Sequence, residues 1–427
     1  MVTASELATW VRDARQRTLD LVADLSDEQM MGPYLNIVNP YLWEMGHIAW
    51  FQENWVLRHA AKQAMIREDA DVLYDSIAIA HNTRWDLPLP NREETLTYMC
   101  EVRDRVLERL ENNPSEEEIY HGIYTVYHED MHTEAFTYTR QTHGYTPPEF
   151  STPPEAARKG GPVSGDAEIP GGTFQLGAAQ NDPFVFDNEK WAHPVDLAPF
   201  AIARAPVTQD EYAAFVDDDG YGRQEFWSQA GWQWREVEKA EHPIYWRSQN
   251  NGTWLRRHFD CWNVLEPHLP VIHVNGYEAE AYCRWAGRRL PSEAEWEAAA
   301  TVSDENLGVE KRRYPWGNDP ASERLHFDWR GLGCAEVGAY PEGDSAFGCR
   351  QMLGNVWEWT SSVFRPFPSF EPDLYKEYSE PWFETRKVLR GGAWATRSRL
   401  VWNTSRNFFT PERRDIFAGF RTCALKI

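Results

Sequence analysis

The chain has 427 residues, more than one ordinary core needs, and 42% hydrophobic with 26% charged residues is the balance of a folded protein. A formal net charge of −23 argues against a surface built for phosphates, so no nucleic-acid partner is expected. No run of about 18 apolar residues occurs, the N-terminus lacks an apolar signal core, and none of the six cysteines forms a CxxC pair. The expectation is a cytoplasmic protein with reduced thiols and no membrane partner.

Taken in chain order, the first predicted helix is capped by Ser5 and carries Leu7, Val11, Leu19, Val22 and Leu25 at helical spacing. Pro40 opens a second, PYLWEMGHIAWFQENWVLRHAAKQAM. A third spans Arg92 to Asn112, with Leu96, Met99, Val102, Val106 and Leu110 on one face. The fourth starts near Ser115, where Ser115 and Glu118 form a capping box, and runs past His132. Residues 1–145 are therefore predicted to form a four-helix bundle. The Pro- and Gly-rich stretch TPPEFSTPPEAARKGGPVSGD reads as a linker over 146–166. From Ala167 to the end, short strand-like runs alternate with Gly- and Trp-rich loops, and helices are expected near Thr208–Val216 and Tyr277–Gly287. This half, 167–427, predicts an α+β domain with much irregular structure, so the chain as a whole is α+β with two domains. Twenty-one Trp suit such loop-rich packing or an aromatic pocket.

Chemistry concentrates in the helical half. His128-Glu129-Asp130-Met131-His132 sets two imidazoles one turn apart on one helix face, close enough to share a metal ion. His47 sits mid-helix in WEMGHIAW beside Gly46, between Trp43 and Trp50, where a buried imidazole needs a partner. The same string matches the zincin pattern His-Glu-x-x-His, with Glu129 as general base. The third metzincin ligand would fall at Tyr138, which is no such ligand. Three imidazoles leave coordination positions open, for substrate and dioxygen at iron or for water at zinc. Spacing alone does not choose between these metals.

WEMGHIAWFQENW and HEDMHTEAF resemble the metal-binding helices of the DinB-like domain in the ergothioneine-biosynthesis sulfoxide synthases, the EgtB family. PVTQDEYAAF, PVIHVNGYEAEAYCRWAGRRLPSEAEWEAAA, MLGNVWEWTSS, KVLRGGAWATRSR and RNFFTPERRDIFAGFR resemble the formylglycine-generating-enzyme-like fold, an elaborated C-type-lectin-like domain. The resemblance covers nearly the whole chain in the family's order. Formylglycine-generating enzymes themselves carry a reactive cysteine pair shortly after an Arg-Gly-Gly-Ser motif. Here no cysteine stands between Arg390-Gly391-Gly392 and Cys423, so a thiolate metal site cannot be built there.

The resemblance implies iron(II) held by His47, His128 and His132. It implies a reaction joining a chalcogen donor to imidazole C2 of hercynine, with consumption of dioxygen. Tyr375, in YKEYSE, matches the proton-donating tyrosine, and Tyr378 is a further substrate contact. Asn407 matches the residue that binds the hercynine carboxylate, Phe408 lies beside it, and Met131 stands where some relatives present a polar group to the trimethylammonium. Where γ-glutamylcysteine users carry an acidic residue this chain has Phe409, and Arg84 alone occupies the region of their carboxylate-binding arginines. Those departures point to cysteine or a selenosugar as donor, and YKEYSEPWF resembles the selenoneine synthase branch. A zinc hydrolase and a non-catalytic lectin-like binding module are the competing expectations.

Overall fold

The computed structural model describes residues 2–150, 152–156, 158–302 and 311–426. Two units with separate cores divide the chain, 1–153 and 154–427.

Four long helices build the first unit. Helix α1 (Ala4–Val22) begins before Ser5: the Thr3 hydroxyl accepts from the Glu6 amide at 3.2 Å, and Glu6 accepts from the Thr3 amide at 2.8 Å. Thr3 therefore replaces Ser5 as the cap, because only Thr3 has a glutamate three residues ahead to complete the reciprocal pair. Helix α2 (Tyr41–Gln52) continues as a π-helix over Glu53–Ala60. Helix α3 spans Arg92–Glu111, and α4 spans Glu116–His143 between the Ser115–Glu118 capping box and a left-handed Gly144. α1 and α2 each pack on both α3 and α4. One buried guanidinium touches all three other helices. Arg15 of α1 pairs with Glu129 of α4 at 2.8 Å, donates to Gln52 Oε1 of α2 at 3.1 Å, and donates to the Met99 carbonyl of α3. A charge so placed is tolerable only because each guanidinium nitrogen finds an acceptor, and that requirement locks the helices in register.

In the second unit one sheet orders strands Asp166–Ile169, Phe200–Ala203, Cys423–Ala424 and Arg288–Arg289, all neighbours antiparallel. Another orders Asn407–Phe409, Lys387–Arg390, Trp357–Val363 and Ala418–Gly419, with only the last pairing parallel. Helices at Gln209–Asp217 and Gly276–Trp285 stand where they were predicted; those at Gln229–Glu238 and Glu293–Thr301 were not anticipated. The Glu293–Thr301 helix escapes periodicity because its buried face carries carboxylates. Glu293 accepts from Arg390 at 2.9 Å and Arg406 at 2.7 Å, and Glu297 accepts from Arg390 at 2.6 Å. Likewise Glu358 is held by Arg421 at 2.7 Å and by the Trp296 indole N–H at 2.8 Å. The stretch read as a linker is partly tied down: the Gly160 and Gly161 amides both donate to Glu336 Oε2 at 2.8 Å, within the second unit. All six cysteines are free thiols, and no helix among the described residues is long and apolar enough to cross a membrane.

Candidate metal centre

His47 of α2 and His128 and His132 of α4 bring ligand-type nitrogens within 4.8 Å of one another. Their rings lie 4.4–5.1 Å apart between centroids. His47 is 3% exposed, while His128 and His132 are half-buried, so the cluster is walled on the α2 side and accessible along α4.

Each ring is oriented by a neighbour. The His47 Nδ1–H donates to the Tyr74 carbonyl at 2.8 Å, and the His132 Nδ1–H donates to Glu44 Oε1 at 2.5 Å. Both tautomers thus present a lone pair at Nε2, the arrangement by which proteins orient and strengthen imidazole ligands. His132 Nε2 faces His128 Nε2 at 3.2 Å. Two nitrogens about 2.1 Å from one ion lie about 3.0–3.4 Å apart in octahedral or tetrahedral geometry, so this spacing fits a shared cation. His128 Nδ1 is buried without a hydrogen-bond partner among the described residues, and its ring is set by stacking on Phe51, 3.7 Å between centroids. Burial, and then the neighbouring His132, draw the His47 and His128 imidazoles well below their ordinary pKa, so both are neutral ligands at pH 7. The residues therefore fit a divalent first-row metal.

Local sequence explains the placement. A Cβ at Gly46 would sit 2.1 Å from the Tyr74 ring, so glycine lets Tyr74 approach closely enough for its carbonyl to reach His47. Trp43 stacks on His47 at 4.9 Å with planes 8° apart. Arg84 lies over the other ring system of that stack, its guanidinium 3.9 Å from the Trp43 ring. It also donates to Asn39 Oδ1 at 2.7 Å and to the Ser76 and Ile79 carbonyls. Arg84 is 8% exposed, and its donors are directed into the bundle.

Glu129, the base required by the zincin reading, is 1% exposed. Arg15 and the Thr18 hydroxyl hold it, each at 2.8 Å. One residue along a helix is about 100° around it, which turns Glu129 into the bundle core while His128 faces α2. No general base for a zinc hydrolase is left at that position.

Within the second unit, Tyr378 and Phe408 come into ring contact, with Tyr375 and Asn407 close to them in the chain. The Tyr378 amide donates to the Tyr375 carbonyl at 3.1 Å, and the Tyr378 ring meets Phe408 edge-on at 6.0 Å and stacks on Phe186 at 4.8 Å. Burial, with Glu189 and Asp187 nearby, holds the Tyr378 hydroxyl well above its ordinary pKa, so it stays a phenol. Asn407 Oδ1 accepts from the Phe408 amide at 2.8 Å, and Phe408 stacks on Phe364 at 4.1 Å. Phe409 lies under the Arg413 guanidinium at 5.0 Å. Met131 is half-buried between the two α4 ligands. Sequence reading missed Glu44, Tyr74 and Phe51. Glu44 alone left a signal, as a lone acid in the otherwise apolar run YLWEMGHIAWF.

Residues 149–426 match the sulfatase-modifying factor enzyme 1-like domain, and 11–136 match the DinB superfamily. The chain is 36% identical to a hercynine oxygenase of Mycolicibacterium smegmatis, covering 99% of both chains. It is 37% identical to the hercynine oxygenase of Mycobacterium tuberculosis, again over 99% of each. A formylglycine-generating enzyme of Thermomonospora curvata is 31% identical over only 61% of this chain and 94% of its own. A match of that identity from end to end, through both domains, shows that this chain is an oxidoreductase belonging to the hercynine oxygenase family.

Proposed function

We propose that the protein is an iron(II)- and dioxygen-dependent oxygenase acting on hercynine, forming a carbon–sulfur or carbon–selenium bond at imidazole C2. The convergence of His47, His128 and His132 in a chain similar over its full length to hercynine oxygenases is the observation that carries this reading. For a thiol donor the balance is R–SH plus the C2–H of hercynine plus O₂, giving the sulfoxide and water. Exchanging the S–H and C2–H bonds for a C–S bond gives up two electrons, oxidation of that sulfur to the sulfoxide gives up two more, and dioxygen takes up all four, one oxygen atom ending on sulfur and the other in water. Bound iron would supply the redox activation of dioxygen and an open position for a substrate.

This chain's own groups do the rest. Glu44 fixes the tautomer and orientation of His132, while Trp43 and Phe51 hold His47 and His128 in place. We assign the proton donor to Tyr375 and the carboxylate contact to Asn407. The carbonyl end of Asn407 is already taken by the Phe408 amide, which leaves its NH₂ donors for an anion. Tyr378 and Phe408 are aromatic and Met131 is polarisable, side-chain types suited to a quaternary ammonium that cannot donate hydrogen bonds. Because the two terminal nitrogens of Arg84 already serve Asn39, Ser76 and Ile79, and Phe409 is uncharged, a donor poorer in carboxylates than γ-glutamylcysteine is favoured. Cysteine or a selenosugar fits that description.

The test incubates aerobic, iron-loaded enzyme with hercynine and cysteine, γ-glutamylcysteine or a 1-seleno-sugar, with mass spectrometry of the products. Consumption of hercynine with cysteine or the selenosugar is expected; hercynine left untouched by all three overturns the assignment. Tyr375→Phe should retain iron and slow product formation by about 100-fold or divert dioxygen to oxidation of the donor alone. Unchanged turnover and product ratio would remove Tyr375 from this role.

A further inference from the structure

Two turns before His128, the same pair of helices assembles a second ligand-type cluster. His59, Glu117 and His121 bring one ligand atom each within 4.8 Å of the others. The π-helix makes this possible. Continued as an α-helix at about 100° per residue, α2 would carry His59 about 120° away from the face of His47. At about 82° per residue through the π segment, His59 returns to nearly the same face as His47 and toward α4. Glu117 and His121 are four apart on α4, one turn on a shared face.

We propose that His59, Glu117 and His121 form a solvent-accessible site for a divalent transition metal of the zinc class, distinct from the three-histidine centre. Two imidazoles and a carboxylate are the donor set of open zinc sites. Ligands on a tetrahedral ion lie about 3.4 Å apart, and His59 Nε2 is already 3.3 Å from Glu117 Oε1. His59 and Glu117 have side chains 36% and 50% exposed, so both can turn to close on an ion. His121 is 2% exposed and fixed by stacking on Trp55, 5.3 Å between centroids and 14° between planes. A plain surface pair between His59 and Glu117 would leave the third member unexplained. His121 is buried beside that pair, and its Nδ1 has no hydrogen-bond partner among the described residues. Lys62, the other cation acting on His121, is exposed and can move aside.

The site would clamp the π continuation of α2 to α4, the two helices that carry His47 and His128–His132. It is independent of the substrate assigned above.

The test titrates zinc into the full-length apoprotein against a competing chelator. The wild-type chain should bind two equivalents and His59→Ala one. In a His128→Ala/His132→Ala background the remaining equivalent should weaken by about 100-fold or more with His59→Ala or His121→Ala, and by about tenfold with Glu117→Gln. Cobalt(II) at this site should give visible d–d bands that the same changes erase. His59 lies at the surface, so its loss leaves the core untouched. If His59→Ala leaves zinc stoichiometry and affinity as they are in the wild type, the cluster is a surface ion pair and the proposal fails.

Discussion

Both units bury carboxylates among apolar side chains, yet for different ends. In the second unit Glu293, Glu297 and Glu358 meet Arg390, Arg406 and Arg421, so each charge is cancelled by a partner and the network holds strands and a helix together. In the first unit Arg15–Glu129 does the same for the bundle, but Glu44 instead meets the imidazole of His132. That imidazole keeps its second nitrogen directed at His128. A closed ion pair ends its own chemistry, whereas a carboxylate spent on a histidine passes basicity on to whatever that histidine binds. The buried charges in the stretches that identify the second unit, Glu297, Glu358, Arg390, Arg406 and Arg421 among them, are therefore structural, whereas the first unit turns one of its own toward a histidine cluster.

The sharpest way to break this contrast is His128→Ala. It should abolish iron retention and lower turnover by about 1,000-fold or more, with helix content and apoprotein melting unchanged. A stoichiometric iron content by elemental analysis would contradict the three-histidine centre. Arg390→Ala should act on the other side of the comparison, destabilising the second unit by about 3–5 kcal/mol in denaturant unfolding, because Glu293 and Glu297 both lose a buried partner. A loss under about 1 kcal/mol would show that those pairs are dispensable.

Glu44→Gln keeps a hydrogen-bond acceptor for His132 while removing its charge. A 10- to 100-fold loss of metal affinity with little change in stability is expected in competition titrations. Equal affinity would mean that Glu44 only positions the ring. The smallest effect concerns Glu189, whose carboxyl burial pushes up to about 7 against the opposing hydrogen bonds from Thr404 and Trp402. The folded state holds this proton above pH 4.5 while the unfolded chain releases it, so stability falls as pH rises from about 4.5 to 7. Glu189→Gln should flatten that slope by an amount on the order of 1–3 kcal/mol, read from unfolding midpoints across the range. An unaltered slope would place the titration elsewhere.

The bundle was legible because its helices announce themselves through apolar spacing and through capping residues such as Ser115 with Glu118. The i, i+4 histidines were equally plain. The Thr3 cap is local in the same way, since Thr3-x-x-Glu6 is the pattern of a capping box and Ser5 has only Ala8 at that spacing. The Glu293–Thr301 helix was missed for a different reason: charges on its buried face erase the apolar stripe, and only their distant arginine partners justify them.

The order of residues along the chain determined the elements and the candidate ligands, because helix periodicity and capping are local properties. Tertiary structure decided which groups those ligands meet. The carbonyl of Tyr74 reaches His47 across the notch at Gly46, Glu44 closes on His132 from 88 residues away, and the π turn brings His59 round to His121. Those contacts depend on how helices pack and how far one of them is overwound or opened, and no local pattern encodes that.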